Sequence, residues 1–255
     1  MKKHLPVILL VALILIASYL LGHPTKVSAP KAHQPTKVAT QPTPKPVAAF
    51  DKALYSTTDA ASLWVVANKQ HPLVPKDFVP TDLVVPTMPL RASITASEKY
   101  VRGDMAKALA TMVGAATTAG VTFDLQSGYR SYTFQTNLYN RYVQQQGLAV
   151  ADSQSARPGY SEHQTGLSAD LGGTTNPACD VAQCYATTLE GKWLAANAYR
   201  YGFVIRYPAN KQSVTGYEYE PWHIRFVGPE LSQEMNAKGI NTLEEFFNVS
   251  GGQNY

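Results

Sequence analysis

The chain reads as an α+β domain, a small antiparallel sheet covered by helices. Two observations predict this class. Stretches with apolar residues at helical spacing, closed by glycine stops, are interleaved with short strands. Those strands lie close together around two motifs, SEHQTGLSAD at 161–170 and EPWHIRFVG at 220–228.

The first element, SLWVVANKQHPLVPKDFVPTDL, is rich in proline and aromatics and predicts extended chain and turns wrapping the surface. Between Gly103 and Ala119, Met105, Leu109, Met112, Val113 and Ala116 share one helix face, and Gly120 stops it. VTFDLQ (121–126) alternates as a strand. Thr133 can cap a helix running to Gln146, stopped by Gly147, with polar coil from there to Pro158. Thr187 and Glu190 have capping-box spacing, opening a helix that ends at Gly202. FVIRY (203–207) is a strand, and EPWHIRFVG carries another. Pro229 begins a helix that Gly239 stops, and Thr242 with Glu245 starts a last short one.

Composition bounds the function. The 255 residues carry a net charge of +4, but residues 1–50 hold six lysines, no arginine and no acid. The remainder has sixteen basic against eighteen acidic side chains, a net of −2, so the basic balance belongs to the tail. A nucleic-acid partner thereby loses its main electrostatic support. From Leu5 to Gly22 no residue is charged, and Lys2 and Lys3 precede the run. A bilayer span needs about 20 apolar helical residues, so 1–22 reads as a signal-anchor, with a cleaved signal peptide as the alternative. Either form exports the rest of the chain to the outer face of the membrane. Residues 23–58 read as a linker whose first part is rich in proline and lysine. The domain proper is expected over 59–250, as a monomer.

Cys179 and Cys184 sit in NPACDVAQCYA. In an exported protein a local disulfide is the leading reading and two reduced thiols the plainer one; a second metal site would need more ligands than this neighbourhood supplies.

Only three histidines lie beyond residue 60, and two of them fall in the motifs. His163, Asp170 and His223 offer two imidazoles and a carboxylate, a donor set suited to one Zn²⁺ with a position left for water. Gly166 lets SEHQ turn back so that LSADL returns as a strand carrying Asp170. Glu220 adds a carboxylate able to take and return a proton. Glu220 and His223 are three apart, so in a regular strand they would face opposite ways. Both can reach one ion only if the strand bends or bulges near Pro221. Taken singly, each residue has a plainer reading: a hydrogen-bonded histidine, a turn aspartate, a surface glutamate. His71 is read as structural.

SGYRS (127–131), SEHQTGLSAD and EPWHIRFVG, in that order, resemble the metallo-carboxypeptidases of the VanY type, from about Ser62 to Phe247. These are D-alanyl-D-alanine and L,D-carboxypeptidases that trim bacterial cell-wall stem peptides. The resemblance implies that His163, Asp170 and His223 bind zinc and that Glu220 is the general base and acid. It implies that Arg130 polarises the scissile carbonyl, as a fixed guanidinium suits, and that Gln135 and Ser161 contact substrate. The implied fold is the one shared with the hedgehog signalling domain, its zinc carried on the sheet. The implied activity is removal of the C-terminal D-alanine from peptidoglycan stem peptides. An L,D-carboxypeptidase acting on the tetrapeptide and a non-catalytic zinc-containing wall-binding module are the alternatives. The CDVAQC loop is not a hallmark of the family and leaves specificity open.

Overall fold

The computed structural model describes residues 50–255. The expected segment 1–22 and the linker up to residue 49 lie outside the described residues. Among the described residues, no helix is long and apolar enough to cross a membrane. The packed chain begins earlier than the expected boundary at 59. Phe50 stacks on Trp64 with ring centroids 5.3 Å apart, and the Lys52 ammonium lies 4.3 Å over the Phe246 ring. It also continues past 250, where the Tyr255 hydroxyl accepts the Arg157 backbone N–H at 2.8 Å.

The proline-rich stretch that opens the domain wraps it as expected, yet it is not superficial. Trp64, Val65, Val66 and Ala67 are buried, and the Trp64 indole N–H donates to the Val227 carbonyl at 2.9 Å. A two-residue ribbon, β1 (Leu83–Val84) with β2 (Val101–Arg102), comes next. Helix α1 (Gly103–Thr118) then buries the five apolar residues its spacing marks. β3 (Phe123–Ser127) leads into α2 (Tyr132–Gln146). Ser131 caps α2, its hydroxyl accepting from the Phe134 N–H at 3.1 Å, where Thr133 was expected.

In place of coil, α3 (Leu148–Gln154) starts directly after Gly147. Its seven residues, LAVADSQ, are too few to show a helical period, and tertiary contacts set the helix: Ala151 is buried, and Asp152 accepts from Tyr139 on α2 at 2.6 Å. Beyond it lie β4 (Ser168–Gly173) and α4 (Leu189–Asn197). Thr188, not Thr187, caps α4, accepting the Gly191 N–H at 3.0 Å. Glu190 is drawn away from the expected capping box because its carboxylate accepts the Thr174 and Thr175 N–H groups at 2.9 and 3.0 Å. β5 (Phe203–Tyr207), the single turn α5 (Gln212–Thr215) and β6 (Glu220–Phe226) complete the main sheet. α6 (Pro229–Lys238) and α7 (Leu243–Phe247) close the chain, with Thr242 capping the latter.

The main sheet has the order β3–β4–β6–β5, antiparallel throughout. The expected class, a small antiparallel sheet covered by helices, is therefore what is found. One face of the sheet carries Phe123, Leu125, Ala169, Leu171, Ile224 and Phe226 into the core, together with the apolar face of α1. Asp170 and His223 alternate with core residues and so point to the other face. A second apolar cluster joins Trp64 and Val66 to Val227, Leu231, Met235, Leu243 and Phe246.

Candidate active site

The sheet register assembles most of the site. Asp170 on β4 stands opposite His223 on β6, and Ser127 on β3 stands opposite Asp170. Three strands thus place three polar side chains in one row, within cross-strand contact distance. Ser127 reaches that row because the ladder is irregular between Leu125 and Ser127, a shift that re-aims it from the core face. Its hydroxyl donates to Asp170 Oδ2.

The bend required near Pro221 is present. Ile205 pairs with Ile224 and Tyr207 with Glu220, so two steps on β5 answer four on β6. That irregularity brings Glu220 Oε2 to 3.5 Å from His223 Nδ1. His163 arrives from a 3₁₀ turn, Glu162–Thr165, closed by Gly166 at φ 69°. A left-handed conformation is needed there for the chain to fold back into β4. Leu83 and Arg102 pack against Gly166, so a side chain would also meet neighbours.

The His163 and His223 rings lie 4.8 Å apart, centroid to centroid. His163 Nε2 is 3.4 Å from Asp170 Oδ2, and His223 Nδ1 is 3.1 Å from Asp170 Oδ1. One donor atom from each of the three residues lies within 4.8 Å of the others. His163 Nε2 and Asp170 Oδ1 are buried without hydrogen-bond partners. Buried polar atoms left unpaired are costly, and two of them converging with a third donor form a cradle for a cation. Two imidazoles and a carboxylate fit zinc, which takes three such protein ligands in catalytic sites.

Protonation is set by burial and neighbours. Burial pushes the His163 imidazole down to about 4, with Arg130 acting the same way against the pull of Asp170. For Asp170, burial is outweighed by His163 and His223, which hold its carboxyl well below the usual range. Burial also opposes charge on His223, but the carboxylates of Asp170 and Glu162 prevail and raise it to about 9. Burial lifts Glu220 to about 8; His223 pulls it down, Asp170 pushes it up and Arg130 pulls it down. A cation on the three donors would favour the ionised form of each nearby carboxylate.

A cavity of about 310 Å³ opens onto these groups. Arg130, Gln135 and Ser161 all line it, so every residue expected at the site is brought to it. Arg130 Nη2 lies 3.5 Å from Asp170 Oδ2. Gln135 is buried, its amide donating to the Ala156 carbonyl at 2.8 Å while Oε1 has no partner. Cys179 and Cys184 form a disulfide, and the intervening Val181, Ala182 and Gln183 form part of the cavity wall. His71 lies apart, its Nε2 2.9 Å from the Ser250 hydroxyl.

Sequence reasoning missed Ser127, Glu162 and the aromatic wall. Tyr207 packs on the His223 ring at 4.8 Å and on Tyr217 at 4.8 Å. A readable signal existed for Glu162. Arg206 and Arg225 both interrupt apolar strands, in VIRY and HIRF, and a buried arginine demands a carboxylate.

An α+β sheet presenting a His–Asp–His cradle beside an acid is the arrangement a metal-dependent hydrolase needs, a place for a cation next to a proton acceptor. A family model described as VanY, D-alanyl-D-alanine carboxypeptidase, matches residues 98–229, and the chain belongs to that family. It is 40% identical over 186 residues to YodJ of Bacillus subtilis (strain 168), an inferred carboxypeptidase, covering 73% of this chain and 67% of YodJ. A D-alanyl-D-alanine carboxypeptidase of Enterococcus faecium is 38% identical over 151 residues, 59% of this chain and 45% of that protein. Among solved structures, the LdcB LD-carboxypeptidase superposes with a TM-score of 0.70 at 39% identity, covering 75% of this chain and 88% of LdcB. A zinc-bound variant of the vancomycin-resistance D,D-pentapeptidase VanY gives 0.59 at 29% identity, covering 74% and 99%.

Proposed function

We propose that this protein is a zinc carboxypeptidase that removes the C-terminal D-alanine from peptidoglycan stem peptides. The observation that carries the reading is the placement of Glu220 3.5 Å from His223, beside the His163–Asp170–His223 cradle and inside a cavity that Arg130 also lines. A zinc ion held by those three residues supplies Lewis acidity, making water a competent nucleophile and polarising a carbonyl.

The chain's own groups do the rest. Glu220 takes the proton of the attacking water and returns it to the departing amine. The half-buried Arg130 guanidinium presents fixed N–H donors to the negative charge that develops on the scissile carbonyl oxygen. Ser127 and Arg130 hold Asp170 from one side, so that it keeps its orientation in the cradle. Gln135 Oε1 and Ser161 are the polar groups offered to the peptide.

Two scissile bonds fit this chemistry. The family description and the Enterococcus faecium relative support the D-alanyl-D-alanine bond of the pentapeptide. The higher TM-score and identity to the LdcB LD-carboxypeptidase than to the VanY structure support the L,D bond of the tetrapeptide. On this reading the domain works outside the cell membrane, where the apolar run 5–22 would deliver it and where the disulfide fits an oxidising compartment. The test is incubation of zinc-loaded, full-length protein with pentapeptide and tetrapeptide, with the products read by mass. Loss of one alanine from either substrate supports the carboxypeptidase, and the preferred substrate assigns the bond. Peptide that binds yet is never shortened would overturn it in favour of a wall-binding module.

A further inference from the structure

The two cradle histidines present different nitrogens. His163 faces Asp170 through Nε2, and its Nδ1 lies 2.7 Å from the Gly128 carbonyl, an acceptor only. The proton of neutral His163 therefore sits on Nδ1 and the Nε2 lone pair is free. His223 is reversed: Nδ1 faces Asp170 and Glu220, so a cation held there would take the Nδ1 lone pair and leave the ring proton on Nε2. That Nε2 is buried and has no hydrogen-bond partner at normal distance. The anion facing it is Glu162 Oε2, at 3.8 Å. A ring or carboxylate shift of about 1 Å closes that gap to a hydrogen bond.

Glu162 is built to be that acceptor. Its side chain is wholly buried, and its Oε1 accepts from Arg206 Nε and Arg225 Nη1, each at 2.7 Å. Ser168 Oγ donates to Oε2 at 3.1 Å, leaving that oxygen with spare acceptor capacity. Arg206 is fastened in turn by both oxygens of Glu244, at 2.9 and 2.7 Å. Arg225 donates to the Leu63 and Val65 carbonyls at 3.0 and 2.9 Å. Two arginines and two glutamates thus form a buried, charge-balanced frame. Burial opposes the charge on Glu162, yet Arg206 and Arg225 hold its carboxyl far below the usual range.

We propose that Glu162 is a positioning residue of the metal site, its Oε2 accepting the Nε2 proton of His223 so that the Nδ1 lone pair is left for the cation. The inference rests on the metal reading of the cradle. It assigns the sequence neighbour of one ligand, His163, to the service of the other, His223. The arginine frame then has a purpose beyond packing, since it fixes a carboxylate that would otherwise be too costly to bury.

The test has two arms on the full-length protein. In the first, zinc is titrated into wild type and Glu162→Gln, with thermal unfolding as the fold control. The expected result is a Kd for zinc raised 10- to 100-fold in the variant. In the second, long-range ¹H–¹⁵N NMR of the zinc-loaded wild type reads the His223 ring. Nδ1 is expected to be metal-bound, with a proton on Nε2 that exchanges slowly with water. Equal zinc affinity in a folded Glu162→Gln, metal on Nε2, or a freely exchanging Nε2 proton would each overturn the proposal. If Glu162→Gln does not fold, the wild-type spectrum alone decides. Wild type that takes up no zinc overturns the metal reading itself and this inference with it.

Discussion

Glu220 separates the cradle from the chemistry, because it adjoins His223 without belonging to the His–Asp–His set. Removing its carboxylate should therefore spare metal binding. Glu220→Ala is expected to lose on the order of 10²- to 10⁴-fold in kcat, the range a positioned acid–base group supplies. Zinc content, measured by elemental analysis, should stay equal to wild type. A variant that loses zinc in proportion to activity would make Glu220 a ligand and reassign the base. His163, Asp170 and Glu220 were all legible in the sequence because each stands in a motif whose spacing has a chemical reason. Ser127 was not, because a bulge in β3 decides which face it joins, and no local pattern announces that bulge.

At the scale of elements, the loop between β4 and α4 is pinned by Glu190. Its carboxylate accepts from the Thr174 and Thr175 N–H groups and from the Thr175 hydroxyl. Burial would raise its pKa, but these hydrogen bonds prevail and lower it. A carboxyl with a depressed folded-state pKa stabilises the fold above its unfolded value, about 4.3, and that contribution fades as pH falls through the folded value. Glu190→Gln should be less stable than wild type in urea at pH 7, and the difference should shrink steadily below about pH 4. A difference independent of pH would assign Glu190 to packing alone. The same residue shows why element boundaries shifted. The spacing of Thr187 and Glu190 resembles a capping box, but a neighbouring loop with two unpaired N–H groups claims the carboxylate, and Thr188 takes the cap. α3 was illegible for a similar reason: its seven residues are too few to show a helical period, and contacts to Tyr139 and Arg157 decide its helicity. Long apolar faces such as that of α1 were read correctly because local and tertiary preferences agree there.

Across the whole molecule, the cradle joins the middle of the folded chain to β6, and β6 is tied in turn to the start of the domain. His163 and Asp170 come from the middle and His223 from β6, while Arg225 on that strand reaches back to Leu63 and Val65. A ligand held by such distant segments must couple to global stability. Zinc at about 1,000 times its Kd should stabilise the protein by about 4 kcal/mol, read as a rise in Tm that a chelator reverses. An unchanged Tm would place bound zinc outside the folded frame. The most direct test of the central claim is anomalous diffraction at the zinc edge from crystals of the zinc-loaded protein. The account predicts one strong peak about 2.0–2.2 Å from His163 Nε2, His223 Nδ1 and an Asp170 oxygen. A peak away from these three side chains, or none, would contradict it.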